Sequence, residues 1–427
     1  MTRGSICVFV LSLFLPRIVH ALTNEFFFRD GDSPIVLLGD SITEQACYST
    51  YLETFILTRY PKWHVTFRNA GWSGDTAWLV ARGDFQQALK RDVLALHPRV
   101  VTINYGMNDA RGGEATYWKY IQHITSLAKA CVGAGARVLL ITPSPEERDE
   151  PSEPGGSAYN KTLFKYSTGL AIVAHKQGVR LVDVLSPFLD VIARGRSSHA
   201  LGVSRGPCLT GDGIHPSWAG GLVMAAIILK DLDAPSLVSS VEIDAAGHQI
   251  VRTDKCRAEW SASASHSNDT DLSFQRFDEA LPWPVHNDSA LALHLPGVDP
   301  LLDLNRYQLK VTGLTAESYT LEIDDQVVGS FSRESLAAGV TLSLRAGPIT
   351  SQAHRVFDLV IEKNDLYAVR WRRIQLGQNT TTEEARESEL ARLDASIATI
   401  ERQIDELRQP HPHLFRLRPV TSNPSWN

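Results

Sequence analysis

The chain reads as an α/β protein: a three-layer α/β/α sandwich on a parallel sheet, with a C-terminal β-rich and helical appendage. Three observations predict it. Short apolar, β-prone runs opening the segments 35–43, 65–76, 100–110 and 137–145 alternate with helical patterns, which implies a parallel sheet with helices on both faces. Three of these runs end in turns rich in Gly, Asn, Asp and Ser, the residues that terminate strands. After Asp233 the pattern changes to short alternating runs separated by polar turns.

The N-terminus carries Arg3, an apolar run from Ile6 to Leu15, then Pro16 and Val19-His20-Ala21. That run is too short to span a bilayer, so a cleaved secretory signal over 1–21 fits better than an anchor. The mature chain is expected to begin at Leu22 and to be secreted, periplasmic or extracellular. No other stretch approaches the roughly 20 apolar residues of a membrane helix.

Gly31-Asp32-Ser33-Pro34 reads as a turn before the first strand. The apolar run IVLL then meets Gly39-Asp40-Ser41, which places Ser41 on a strand-to-helix turn. Residues 46–59 read as a helix with Tyr51, Leu52, Phe55 and Ile56 on one side. VTFRNAGWSGDT, 65–76, is a strand followed by a glycine-rich loop. VVTINYGMNDA, 100–110, is a strand ending in Gly106-Met107-Asn108-Asp109. Helices are expected over 116–134 and 160–177, and further strands at 137–145 and 179–188. LTGDGIHPSWAGG, 209–221, sets Asp212 and His215 just before a helix.

Domain boundaries follow: an α/β unit over 22–233, a β-rich appendage over 234–350, and a C-terminal helical segment over 351–427. Strands are expected at 306–314, 318–332 and 340–347. Helices are expected at 351–373 and 383–408. In the last, Leu390, Leu393, Ile397, Ile400, Ile404 and Leu407 recur at spacings of three and four, a heptad seam. Two uses fit that seam: self-association with a second chain, or docking on the chain's own helix. With no long Gly/Ser or Pro-rich tether after Asp233, the appendage is expected to dock on the α/β unit.

The chemistry can be read from residue types. A free hydroxyl is a weak nucleophile and needs a positioned base. Ser41 is the candidate nucleophile and His215 the candidate base, because an imidazole titrates near neutrality. Asp212, three residues earlier, can accept the other ring N–H and fix the tautomer. Gly74 through its backbone N–H, Asn108 through its amide, and the Ser41 N–H are candidate oxyanion donors. Taken singly, each has an ordinary structural use as a cap or turn residue. Ser33 precedes its strand and belongs at the sheet's opposite end. His64, His123, His175, His199, His248, His286 and His294 lack an adjacent acidic partner in a comparable loop.

The four segments around Ser41, Gly74, Asn108 and Asp212-His215, in this order, resemble the SGNH/GDSL hydrolase family of esterases over about residues 34–233. The resemblance implies a flavodoxin-like sandwich. It assigns catalysis to Ser41, Asp212 and His215, and the oxyanion hole to Ser41, Gly74 and Asn108. The expected activity is serine-ester hydrolysis through an acyl-enzyme, on an acylated carbohydrate or polysaccharide. A lipid ester or thioester hydrolase and a glycan-binding pseudoenzyme are the alternatives.

No Cys-x-x-Cys, His-Glu-x-x-His, dinucleotide or P-loop pattern occurs, so neither metal nor nucleotide cofactor is expected. A net charge of −6 over 427 residues gives no support for nucleic-acid or anionic-membrane binding. Cys47, Cys131, Cys208 and Cys256 allow three disulfide pairings in an oxidising compartment. Sequons occur at Asn160, Asn268, Asn287 and Asn379. The charged loop 145–159 fits either a solvated loop or one that overhangs the site, and 197–208, just before the His215 loop, fits a second wall. Trp283, between two prolines, and Trp371, inside a basic run, fit either sugar contact or core packing with snorkelling arginines.

Overall fold

The computed structural model describes residues 25–147, 158–197, 209–261, 271–289, 303–377 and 382–420. The expected signal segment, the loop tips 148–157 and 198–208, Cys208, Asn268 and Asn379 lie outside them.

Five strands form a wholly parallel sheet: β1 (Ile35–Gly39), β2 (Phe67–Gly71), β3 (Val100–Asn104), β4 (Arg137–Ile141) and β5 (Arg180–Val182), in the order β2-β1-β3-β4-β5. β1 is an interior strand and fully buried, with Ile35 in register with Phe67 on one side and Val100 on the other. A strand covered on both faces has no polar face to alternate, which is why IVLLG is a continuous apolar run.

The connecting helices are α1 (Ser41–Glu44), α2 (Cys47–Arg59), α3 (Phe85–Asp92), α4 (Glu114–Gly133), α5 (Ala158–Gln177), α6 (Leu185–Ser197) and α7 (Trp218–Asp231). α2 packs with α7, and α4 with α5, giving the α/β/α sandwich. Residues 179–188 are not one strand. β5 ends at Val182, and α6 begins at Leu185. Asp183 accepts from Ser186 N–H at 3.3 Å, and Thr142 Oγ1 accepts from Val184 and Leu185 N–H at 2.8 and 3.0 Å. Those acceptors satisfy the N–H groups that open a helix, and they override the β-propensity of the valines.

The appendage is a two-sheet β-sandwich. Its strands are β6 (Leu237–Asp244), β7 (Gln249–Asp254), β8 (Cys256–Trp260), β9 (Leu272–Asp278), β10 (Arg306–Thr312), β11 (Ser318–Ile323), β12 (Gln326–Ser332), β13 (Val340–Thr341) and β14 (His413–Pro419). The sheet orders are β13-β10-β6-β7 and β12-β11-β14-β9-β8. Val241, Leu309, Phe274, Leu321 and Phe415 share one buried core between them. Two expectations are corrected. Only Val340–Thr341 of 340–347 is strand, because the following residues turn into the helix that starts at Pro348. The last segment is not helical throughout, because β14 returns as an interior strand between β11 and β9.

The appendage docks on the α/β unit. The helix Pro348–Ala368 packs on α2, and every residue of α2 from Tyr48 to Arg59 is buried. The one-sided apolar face expected there is covered on its far side as well. Glu53 of α2 meets Lys363 at 2.5 Å and Asn364 at 3.2 Å within that interface. Arg59 Nη2 donates to Leu304 O at 2.8 Å. The helix Glu383–Leu407 packs against Pro348–Ala368, which buries Leu393, Ile397, Ile400 and Ile404. At these four positions the heptad seam is packed on the chain's own helix.

Trp283 is 0% exposed, lies edge-on to Tyr51 and Phe55, and donates Nε1–H to Tyr51 O at 3.0 Å. Trp371 is also buried. Both are core residues and present no face to a sugar. Cys47, Cys131 and Cys256 are free thiols. Asn160 is buried and bonded in both directions to Glu146, so its sequon is closed to a glycan in the folded chain.

Candidate active site

The carboxyl ends of β1, β2 and β3 carry Ser41, Gly74 and Asn108 to one edge of the sheet, where parallel α/β sheets bind their ligands. Ser41 opens α1. The preceding Asp40 caps that helix by accepting from Ile42 N–H at 3.0 Å. The approach of α1 to the sheet is close: a Cβ at Gly71 would sit 2.2 Å from Glu44 N. Glycine there is a steric requirement.

His215 reaches Ser41 from the far side. Its Nε2 lies 2.8 Å from Ser41 Oγ, and its Nδ1 lies 2.7 Å from Asp212 Oδ2. Asp212 Oδ1 accepts from the N–H groups of Ile214 and His215 at 2.9 and 2.8 Å. Partial burial pushes the Asp212 carboxyl up, but these bonds from His215 and Ile214 outweigh it and hold the pKa at about 2. Asp212 is therefore an anion fixed on the imidazole at neutral pH. Ser33 lies at the other end of β1 and bonds Thr66 Oγ1 at 2.7 Å.

The loop that carries His215 is closed on itself. Gly211 N–H donates to His215 O at 2.9 Å, and Ser217 N–H to Leu209 O at 2.9 Å. Glu147, buried after β4, holds the base of this loop. Its Oε2 accepts from Leu209 N–H, Thr210 N–H and Thr210 Oγ1 at 2.9, 2.9 and 3.0 Å. Its own N–H donates to Gly213 O at 2.7 Å.

Gly74 has φ +74° and open space where a Cβ would stand. The glycine is needed for backbone conformation, and substrate can approach the peptide closely. Asn108 donates Nδ2–H to Asp75 O at 2.9 Å. One of its two amide hydrogens is used there, which leaves the other for a ligand. Asp109 is buried and accepts from Ala77 N–H at 2.9 Å and Gly106 N–H at 3.1 Å, and burial raises its pKa to about 7. It ties the Asn108 turn to the Gly74 loop.

Residues 37–221 match the GDSL-like lipase/acylhydrolase family. They form a GDSL-like acylhydrolase domain. The chain is accordingly an ester-hydrolysing enzyme. No curated protein matches the chain. Among solved structures, a gut microbial diltiazem-metabolizing enzyme superposes with a TM-score of 0.76 at 22% identity, over 93% of this chain and 99% of that one. At that identity the likeness shows a shared fold, appendage included. An acetylxylan esterase from Geobacillus stearothermophilus aligns over 48% of this chain and 95% of its own, at 22% identity and a TM-score of 0.39.

Sequence reasoning missed the groups that brace the acylhydrolase site. Arg82 is fully buried under the three loops. It donates to Asp75 Oδ2 at 2.7 Å, Ala70 O at 2.8 Å, Tyr105 Oη at 3.1 Å and Gly39 O at 3.2 Å. One guanidinium thus ties the ends of β1 and β2 to the loop after Gly74. Its long-range partners leave no local signal. The appendage also reaches this scaffold: Trp371 packs edge-on against Trp72 with ring centroids 5.6 Å apart. Among the described residues no cluster of His, Cys, Asp and Glu could hold a metal ion, and no helix is long and apolar enough to cross a membrane.

Proposed function

We propose that the chain is a secreted serine esterase that removes acyl groups, acetyl foremost, from carbohydrate or polysaccharide. The observation that carries the reaction is the continuous relay Ser41 Oγ–His215–Asp212, with heavy-atom distances of 2.8 and 2.7 Å.

Ser41 Oγ attacks the ester carbonyl as its proton passes to His215 Nε2. Asp212 stabilises the imidazolium that forms. The negative charge on the carbonyl oxygen is met by the N–H groups of Ser41 and Gly74 and the second amide hydrogen of Asn108. Collapse breaks the bond to the alcohol oxygen, which takes the proton from His215. Water then attacks the acyl-enzyme by the same proton path. It releases the carboxylic acid and restores Ser41.

The substrate class is supported by the surroundings of the relay. Ser73, Gly74, Gly211 and Asp212 are exposed around Ser41, an open polar setting that suits a hydrated sugar ester. The apolar run and small residues of 1–21 support export.

The test is acetate release from acetylated polysaccharides, with short- and long-chain p-nitrophenyl esters alongside. The wild type is expected to release acetate, Ser41→Ala to lose all turnover, and Ser33→Ala to retain it. Equal losses from both folded variants would overturn the nucleophile assignment. Turnover confined to long-chain esters would overturn the carbohydrate reading.

A further inference from the structure

The segment Val369–Gln375 is a π-helical turn at the end of the helix Pro348–Ala368. Such turns displace side chains from the α-helical register and are frequent at functional sites. This one aims two consecutive side chains at the oxyanion loop. Trp371 meets the edge of Trp72, and the Arg372 guanidinium lies 4.3 Å from the centroid of the same ring. Arg372 also forms an ion pair with Glu44 Oε1. The other oxygen of Glu44, Oε2, accepts the N–H of Ser73.

These contacts join three parts of the site. Glu44 belongs to α1, the helix that Ser41 opens. Ser73 immediately precedes Gly74, whose left-handed backbone has no Cβ to restrain it. On its downstream side the loop is fastened by Asn108 on Asp75 O. On its upstream side the fastening is Glu44 on Ser73 N–H. A carboxylate roughly a quarter exposed, as that of Glu44 is, is free to turn toward water unless a cation fixes it. Arg372 is that cation. The cation–π contact on Trp72 holds its guanidinium plane in place.

We propose that Arg372 is a positioning residue for ester hydrolysis. It acts from the appendage, through Glu44, to hold the Ser73–Gly74 peptide where its N–H meets the oxyanion. The inference rests on the esterase reading above. It also gives the docked appendage a part in the reaction: the oxyanion loop of the acylhydrolase domain is fastened by a residue outside that domain.

The test uses the full chain with Arg372→Ala, Arg372→Lys, Glu44→Gln and the Glu44→Gln/Arg372→Ala pair, each checked for a wild-type melting profile. On p-nitrophenyl acetate, Arg372→Ala is expected to lower kcat about 10- to 100-fold, the scale of a small misplacement, with KM little changed. Arg372→Lys should recover part of the loss, and the pair should be no worse than the poorer single variant. Amide hydrogen exchange over 72–75 should quicken in Arg372→Ala. Unchanged exchange there would overturn the clamp whether or not the protein turns over esters. Quickened exchange with wild-type kcat, or a change in KM alone, would overturn the positioning role. A wild type inactive on every ester would sink the esterase reading separately, and the exchange result would still decide the clamp.

Discussion

Asn108 Nδ2 lies 2.9 Å from the main-chain oxygen of Asp75, so the side chain that follows β3 is tied to the backbone that follows β2. One amide therefore does two things. It fixes the loop that carries Gly74, and it leaves a second hydrogen for a ligand, which is the oxyanion in the proposed mechanism. Asn108→Ala is expected to lower kcat by about 10²–10³-fold with a modest change in KM, the order seen when one oxyanion donor is removed. Steady-state kinetics on a small ester decide it. A pure KM effect would mean that Asn108 binds ground-state substrate.

Glu147 accepts three hydrogen bonds at the base of the His215 loop. Glu147→Ala leaves buried donors without that acceptor, at a cost of about 1–3 kcal/mol each, and frees the loop that aims the imidazole. Melting temperature and kcat should fall together. Glu147→Gln, which keeps an acceptor oxygen, should recover part of both. Wild-type kcat in a folded Glu147→Ala would remove Glu147 from the positioning of His215.

Asp40 and Asp109 are buried carboxyls, and burial raises each to a pKa of about 7. Unfolded, each would titrate near the ordinary aspartate value of about 3.9. Between those values the folded chain binds more protons than the unfolded chain, so their contribution to stability falls as pH rises from about 4 to about 7. Asp212 runs the other way: its folded pKa of about 2 gives stability that is lost as pH falls below about 4. Thermal melts across this range should show a smaller decline toward neutrality in Asp40→Asn than in the wild type. Parallel curves for the two proteins would contradict the assignment.

The buried pair Glu53–Lys363 is 4% and 2% exposed at its side chains and joins α2 to the docked helix Pro348–Ala368. Removing one partner leaves an uncompensated charge inside the interface. Lys363→Met is expected to cost about 3–5 kcal/mol, and Glu53→Leu with Lys363→Met together to restore most of it. Chemical denaturation of the two variants beside the wild type measures this. An unchanged midpoint for Lys363→Met would mean that Glu53 finds compensation elsewhere.

How much of the site was legible depends on how local its geometry is. Asp212 lies three residues before His215, and two backbone N–H groups of the same loop hold it, so the spacing alone pairs them. Ser41 was legible because a continuous apolar strand followed by a capping aspartate ends in a turn. Gly74 was legible because a glycine in a loop after a strand offers its N–H with no side chain in the way. The alternation of strands and helices likewise contains the parallel sheet, since a strand buried on both faces must be apolar throughout.

Only the tertiary structure decided the rest. Arg82 and Glu147 look like ordinary surface charges in sequence, and only packing buries them among polar groups from other strands. β14 follows a long helix, and its place between β11 and β9 is set by pairing with strands about a hundred or more residues earlier. The heptad pattern predicted an apolar stripe but not its partner, because periodicity records which face is buried and not what covers it. Arg372 is the extreme case. Its carboxylate partner lies on the first turn after β1, near the other end of the chain. Local propensity carries no information about a pairing made only when the appendage folds back on the sheet edge.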